Sequence, residues 1–434
     1  MGDLPVGRYL RARLQRIRDR PAGQADPMGP SRRSGADPGE LPGPDWIPAG
    51  FKTAKRSVLR SLPHVPPFPF PRDLPVLIPD LLRYGPGDPD RGSFSPPDPG
   101  DLLFFDLETT GLSGGAGTVA FLAAFGRLVP ADPGEKPAYL LRVDQYLLLD
   151  YPGEPNFLEA LLPEFRETGG VSPRPPLVVS YNGKSFDAQI LKTRCVMNGL
   201  RPPASCHADL LHPARRLWRG TLPSCSQGAI ETAVLGLDRT GDIPGALAPE
   251  IWFSFLRSGG AGGLLAVCDH NLRDVVGLAC LFSVIGYIAG DPLGLWESYG
   301  VNIESLALGW REFSRRFPGI GGAETEKTAG TLLRAAADQG RPRARYLLGK
   351  DLLRQGRGDE GRALLRRLAR GTAPAGLRAA AYRVLAIDAE WGLRKSGAAL
   401  GYVEEALALD PGILEKDFLH RRKRLLARKR METE

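Results

Sequence analysis

Four carboxylates in this chain stand where apolar segments meet polar ones. Asp106 and Glu108 lie in LLFFDLETTGL, Asp187 in VVSYNGKSFDAQIL and Asp274 in DHNLRDVVGLACL. A carboxylate at such a boundary costs free energy unless something compensates it. Hard cations such as Mg2+ or Mn2+ take oxygen ligands. Two of them about 3.5–4 Å apart can activate a water and stabilise the leaving oxygen of a phosphodiester. Three or four acids from different elements are what such a site needs, and without the cations they repel one another. The pattern therefore predicts a site for two divalent metal ions, Mg2+ or Mn2+.

The spacing supports convergence. Asp106 and Glu108 are two apart in a predicted strand, so they share a face while Leu107 points to the core. Asp187 opens a helix directly after a strand and the turn YNGKSF, and a helix N-terminus tolerates an anion. His270 and Asp274 are four apart in a helix, hence on one face. Singly, each signal has a plainer reading: a polar strand edge, a helix cap, an exposed polar helix face. Their order and contexts together carry more weight. Gly115-Ala116-Gly117-Thr118-Val119-Ala120 matches G-x-G-x-x-A, but it opens a strand where a dinucleotide site needs a helix. Gly183-Lys184-Ser185 reads G-K-S, but the full G-x-x-x-x-G-K-[ST] of an ATP-binding loop does not occur.

The elements around these residues read as a mixed α/β sheet. LLFFDLE, TVAFLAAFGRLV and AYLLRVDQYLLL are strands, the last two joined by the hairpin loop PADPGEKP. NFLEALLPEFRE is a helix, LVVSYN a strand, FDAQILKTRCVMNG a helix ending at Gly199, SCHADLL a short strand and HPARRLWR a helix. Three more helical segments centre on SCSQGAIETAVLG, PEIWFSFLR and LLAVCDHNLRDVVGLACLFSVIGY. A hairpin leading into alternating strands and helices places this region in the α/β class. From about residue 300 strand signals vanish. RYLLGKDLLRQGRGDEGRALLRRLARG and AYRVLAIDAEWGLRKSGAALGYVEEALALDP repeat a helix-turn-helix plan, with Tyr346 and Tyr382 in matching places. The period fits a tetratricopeptide-like unit, and an ordinary helical bundle is the other reading.

The 434 residues predict more than one domain. We divide them into a basic, disordered segment (1–44), a Pro-rich arm (45–99), the α/β domain (100–290) and the helical domain (291–434). Residues 7–19 could form a short basic amphipathic helix, and 20–44 carry almost no apolar residues. Net charge is +4 over 1–99, −4 over 100–290 and +8 over 291–434, so an acidic block is flanked by basic segments able to neutralise a polyanion. Arg-rich faces that merely solubilise helices would look the same. Five cysteines with no C-x-x-C pair, and no secretory signal, point to a reduced, cytoplasmic protein without structural zinc. No apolar run of about 18 residues is apparent, so no membrane is expected as a partner.

FDLETTGL, N-G-K-S-F-D and H-N-x-x-D-V resemble the three exonuclease motifs of the DEDD superfamily, on the ribonuclease H-like fold. The chain is more similar still to bacterial YprB-type ribonuclease H-like proteins, in which such a domain is joined to tetratricopeptide repeats. GGAGTVAFLAAFG, ADLLHPARRLWR, LPSCS and DIPGALAPEIWFSFLR look like blocks of that family, and the resemblance runs from about Trp46 to Gly286. It implies Asp106, Glu108, Asp187 and Asp274 as metal ligands, with Asp106 bridging both ions and Glu108 also contacting the attacking water. It implies His270 as the residue that orients or deprotonates that water. Its spacing from Asp274 matches the superfamily's tyrosine branch, and its identity the histidine branch. Thr109, Thr110 and Gly111 would approach the terminal nucleotide, and Asn182 begins the second motif. Asp209, outside the three motifs, reads as a supporting acid. Arg215, Arg216 and Arg219 could hold phosphates or face solvent.

The expected activity is a 3′–5′ exonuclease on the single-stranded end of DNA or RNA. Two alternatives stay open. One is a nucleic-acid-binding adaptor whose repeat domain recruits a protein partner. The other is a structure-specific endonuclease on the same fold.

Overall fold

A computed structural model describes residues 41–84, 94, 96–111, 117–132, 138–166, 175–409 and 412–433. The helix expected at 7–19, nearly all of the stretch 20–44, and Gly115 and Ala116 of the glycine-rich decoy lie outside them.

Seven strands form one mixed sheet: β1 (Ile47–Gly50), β2 (Thr53–Arg60), β3 (Leu102–Thr109), β4 (Ala120–Pro130), β5 (Tyr139–Leu148), β6 (Leu177–Ser180) and β7 (Cys206–Asp209). Their order is β1-β2-β5-β4-β3-β6-β7. The β1 to β4 side pairs antiparallel, whereas β6 runs parallel to β3 and β7 parallel to β6. Thus β3 sits where the antiparallel half meets the parallel half. It pairs with β6 only over Leu102–Phe104. Asp106 and Glu108 lie beyond that pairing, at the carboxyl end of the strand, where open α/β sheets leave a crevice for ligands.

Alternation along β3 divides the core. Leu103, Phe105 and Leu107 face one layer, with α1 (Glu154–Leu161), α2 (Asp187–Met197) and, further along the chain, the helix Ala248–Ser258. Leu102 and Phe104 face the other layer. Between α2 and that later helix lie α3 (Leu211–Trp218) and α4 (Gln227–Ala233); Ala248–Ser258 is α5, and α6 is Leu264–Gly290. Most of α6 covers the face of Leu102 and Phe104, which is also the face of Asp106 and Glu108. It lies close to the sheet because Gly126, opposite Phe104 on β4, has no side chain. A Cβ there would stand 2.6 Å from the Val275 Cγ1 of α6.

Two sequence expectations need correction. Residues 45–99 are more than an arm, because 47–60 add β1 and β2 to the sheet. The signal was hidden: β2 reads TAKRSVLR, and its buried residues are Thr53, Ala54 and Arg56, a polar set that masks the alternation of a strand. Second, α6 is long and apolar enough to cross a membrane by length and composition, although 78% of its most apolar window is buried inside the protein. It is the core helix, and of its few charged residues Asp274 faces the acidic site while Asp269 pairs with Arg56 on β2.

The C-terminal half is all helical: α7 (Ile303–Arg316), α8 (Pro318–Asp338, broken at Gly322), α9 (Pro342–Arg354), α10 (Gly358–Ala369), α11 (Ala375–Ile387), α12 (Ser396–Leu407) and α13 (Glu415–Thr433). Helices α7 to α9 share one hydrophobic core with the sheet, through Ile303, Leu306, Trp310, Leu332 and Leu352. Polar ties accompany it: Trp218 Nε1 donates to the Tyr299 carbonyl at 2.7 Å, and Thr325 donates to Asp73 at 2.7 Å. Helices α10 to α13 build a second core around Leu365, Tyr382, Val403 and Phe418.

Candidate active site

Strand β3 presents Asp106 and Glu108 side by side, both half-buried, and α6 presents His270, Asn271 and Asp274 opposite them. Asn271 donates to Asp106 Oδ2 at 2.7 Å. His270 Nε2 stands 4.0 Å from Glu108 Oε1 and 3.6 Å from Asp274 Oδ2. Asp187 arrives from the third direction, at the start of α2. The turn before it is held by Asp209, which accepts the backbone N–H of Asn182 at 2.8 Å, Lys184 at 3.2 Å and Leu211 at 3.1 Å. Asn182 itself adopts a left-handed φ of 64°. Gly183 lets the turn pass close: a Cβ there would meet Ser180 Oγ at 2.5 Å and Asp187 Oδ2 at 2.8 Å.

Burial and neighbouring charges both act on these acids. Asp106 is held well above the usual carboxylate range, first by burial, then by the charges of Asp274, Asp187 and Glu108, with Asn271 pulling the other way. Burial pushes Glu108 up to about 8, with Asp274, Asp187 and Asp242 adding to it. Burial and Asp209 push Asp187 up to about 7. Like charges gathered away from water favour protonation unless a cation compensates them. An all-carboxylate donor set suits hard divalent ions, so the residues fit the expected group in chemistry. In geometry the fit is looser. Among the described residues no three His, Cys, Asp or Glu side chains form a ready cage for one ion.

A cation that the sequence reading did not include stands beside these acids. Arg239, from the loop between α4 and α5, donates to Asp274 Oδ1 and Glu231 Oε2, and to Asp242 Oδ2 at 3.0 Å. Asp242 in turn accepts from His270 Nδ1 at 2.9 Å and lies 3.3 Å from Arg273 Nη1. A carboxylate only accepts, so the Nδ1 proton belongs to this bond. Nε2 is then the ring nitrogen on the side of Glu108 and Asp274.

A buried relay also supports Asp106 from behind. Arg56 on β2 donates to Gln145 Oε1 at 2.6 Å, and Gln145 Nε2 donates to Asn271 Oδ1 and to the Cys268 carbonyl, each at 2.8 Å. Arg239, Asp242, Asn271, Gln145 and Arg56 had been assigned no role from sequence. Asn271 was open to discovery, since it is three residues from Asp274 on the same helix. The charged run Asp238-Arg239-Thr240-Gly241-Asp242 was a second available signal.

The expected substrate-side residues fall into two groups. Thr109 donates its hydroxyl to the Gly111 carbonyl, and Thr110 accepts from the Val119 N–H, each at 3.0 Å, so both shape the turn after β3. Arg215 and Arg216 are exposed on α3. Arg216 is committed to the fold, donating to the Val76 carbonyl at 3.1 Å and lying against Gly309 of α7.

A family model described as ribonuclease H superfamily matches residues 103–285. The chain is also 37% identical, over 185 residues, to YprB of Bacillus subtilis (strain 168), a protein described as uncharacterized. The match covers 42% of this chain and 41% of that relative, so the chain spans about two fifths of its length. β3 from Leu103 on, β4 to β7, α2 and nearly all of α6 fall within the matched span, and they carry all four motif acids. Residues 103–285 therefore form a ribonuclease H-like domain, followed by an all-helical region.

Proposed function

We propose that this protein is a metal-dependent nuclease that hydrolyses the terminal phosphodiester of a single-stranded DNA or RNA from its 3′ end. One observation carries the reading: His270 of α6 lies 4.0 Å from Glu108 and 3.6 Å from Asp274 while Asn271 beside it donates to Asp106, so acids from β3 and α6 meet around these two side chains. Asp106, Glu108, Asp187 and Asp274 would hold two divalent ions, Mg2+ or Mn2+. Such ions supply Lewis acidity toward the phosphodiester and lower the pKa of a bound water.

The remaining work falls to side chains. Asp242 fixes the ring of His270 and the position of its Nδ1 proton, leaving Nε2 to accept a proton from the attacking water. Asn271, backed by Gln145 and Arg56, keeps Asp106 oriented. The turn of Thr109, Thr110 and Gly111 lies at the carboxyl end of β3, where a terminal nucleotide would sit. Asn182 would flank it, and exposed Arg215 is the better placed of the α3 arginines to meet a phosphate. All five cysteines are free thiols, which fits a reduced, cytoplasmic setting. The paired helices with matching tyrosines support a tetratricopeptide-like reading of the C-terminal region.

The test is incubation of the purified chain with 5′-labelled and circular oligonucleotides in Mg2+ or Mn2+. Stepwise shortening from the 3′ end that disappears in Asp106→Ala supports the proposal. Cleavage of the circle would replace the exonuclease by an endonuclease. No cleavage beyond the Asp106→Ala control overturns the enzyme.

A further inference from the structure

Six tryptophans occur in the chain, and only Trp391 among them is mostly exposed, at 62%. It belongs to a π-helical turn, Asp388–Gly392, between α11 and α12. Such turns arise where a helix takes up extra residues, and they gather at functional sites. The lengthening is visible by comparison with the preceding pair: Gly358, which opens α10, follows Tyr346 by twelve residues, whereas Ser396, which opens α12, follows Tyr382 by fourteen.

The indole is backed by a fixed cation. The Arg424 guanidinium lies 5.6 Å from its ring centroid. Arg424 is held there by the buried carboxylate of Glu390, donating through Nη2 to both oxygens at 2.7 Å, while Arg421 takes the same carboxylate at 2.5 Å. One negative charge is shared by two positive ones, so the network keeps a net positive charge beside an open aromatic face.

The neighbouring backbone points the same way. Arg394 sits at a left-handed φ of 56°. The turns after α8 and α9 place Gly340 and Gly356 at comparable φ values, 82° and 80°. Glycine takes that conformation without strain and other residues do not. An arginine kept there, next to exposed Lys395, implies a use for its side chain. Helix α13 adds eight basic residues against three acidic ones.

We propose that Trp391, Arg394, Lys395 and Arg424 form a second site that binds single-stranded nucleic acid, with a base stacked on the indole and its phosphates met by the cations. An exposed indole flanked by guanidinium groups is the recognition chemistry of single strands. Duplex bases are stacked on each other and offer no face to it. The patch is net positive, which suits a polyanion and argues against a basic protein segment. Stacking ignores the 2′-hydroxyl, so DNA and RNA should both bind.

The experiment uses the full chain with divalent ions chelated, so that binding is read without cleavage. Labelled oligo(dT) and oligo(U) of about twelve nucleotides are titrated and followed by fluorescence anisotropy and by quenching of the indole. Trp391→Ala should weaken both by about tenfold, while Trp391→Phe stays within about threefold. Arg424→Gln and Arg394→Gly should each weaken binding and flatten its salt dependence. Arg394→Gly relieves the backbone and will not unfold the turn, so it remains decisive if Trp391→Ala folds poorly. Wild-type affinity in both Trp391→Phe/Arg394→Gly and Arg424→Gln, or duplex binding as tight as single-strand binding, overturns the site. A patch that serves a protein partner instead would give that same negative result. Failure of the nuclease proposal leaves this assay untouched. Conversely, Trp391→Ala should still cut a dinucleotide at the wild-type rate if that proposal holds.

Discussion

At the scale of single residues, the site is an exercise in compensating negative charge. Asp106→Asn should abolish cleavage and raise the melting temperature measured in chelator, because it removes one of several mutually repelling buried carboxylates. Raised carboxylate pKa values also set a direction with pH. The fold favours the protonated forms of Glu108 and Asp187, which titrate at about 8 and about 7. The stability linked to them is complete below the ordinary carboxylate range near pH 4 and is lost as pH climbs to about 8. Melting in chelator should therefore fall between about pH 5 and about pH 8, and Glu108→Gln should flatten the slope. Metal binding needs those protons gone, so Mg2+ should raise the melting temperature most at the alkaline end. Arg239 competes for Asp274, so Arg239→Met should enlarge that Mg2+-induced rise; an unchanged rise would remove Arg239 from the site. Asp242→Asn should lower kcat by about 10- to 100-fold and alter the pH profile, with KM little changed.

At the scale of elements, the site depends on how closely α6 approaches the sheet and how tightly the turn before α2 is wound. Gly126→Val would press on Val275 from 2.6 Å or closer. Lifting α6 by even a fraction of that would separate Asn271 and His270 from β3. Overpacking of this kind typically costs about 1–3 kcal/mol. The expected result is a folded protein of lower melting temperature whose activity falls further than its stability. Gly183→Ala would press on Ser180 as well as on Asp187, so it should weaken metal binding and also lower the melting temperature. The relay from Arg56 through Gln145 to Asn271 joins β2 to α6 across the sheet. Removing Arg56 leaves a buried amide oxygen without its donor, at about 1–3 kcal/mol.

At the scale of the whole molecule, the helical region is two things. Helices α7 to α9 are part of the core that supports α6, and Trp310 is fully buried in it. A chain ending at Gly290 would expose that surface and should aggregate. A chain ending at Gly356 keeps that core and should fold, losing only the second core built by α10 to α13. Limited proteolysis and melting of the two truncated proteins measure the difference; equal behaviour would show that the shared core is dispensable. The basic excess sits in the same C-terminal half as Trp391, so the longer truncated chain should also lose affinity for single strands.

Local pattern was enough to read much of this protein. The acids Asp106, Glu108, Asp187 and Asp274 stood out because strand alternation, a strand-turn-helix junction and helical spacing are short-range rules, each satisfied within a dozen residues. The same rules located β3 to β7, the helices that follow them and the change to an all-helical region. They were blind to β2, whose buried face is polar and acquires meaning only beside β5 and α6. They could not supply Arg239 and Asp242 either. A charged loop carries no periodicity, and which carboxylate a guanidinium neutralises depends on which helix the chain later lays across the sheet. Types and spacing along the chain thus name the acids that can share a site. Packing in three dimensions names the cations, amides and second carboxylate that hold them there, because electrostatic partners are chosen by distance through space.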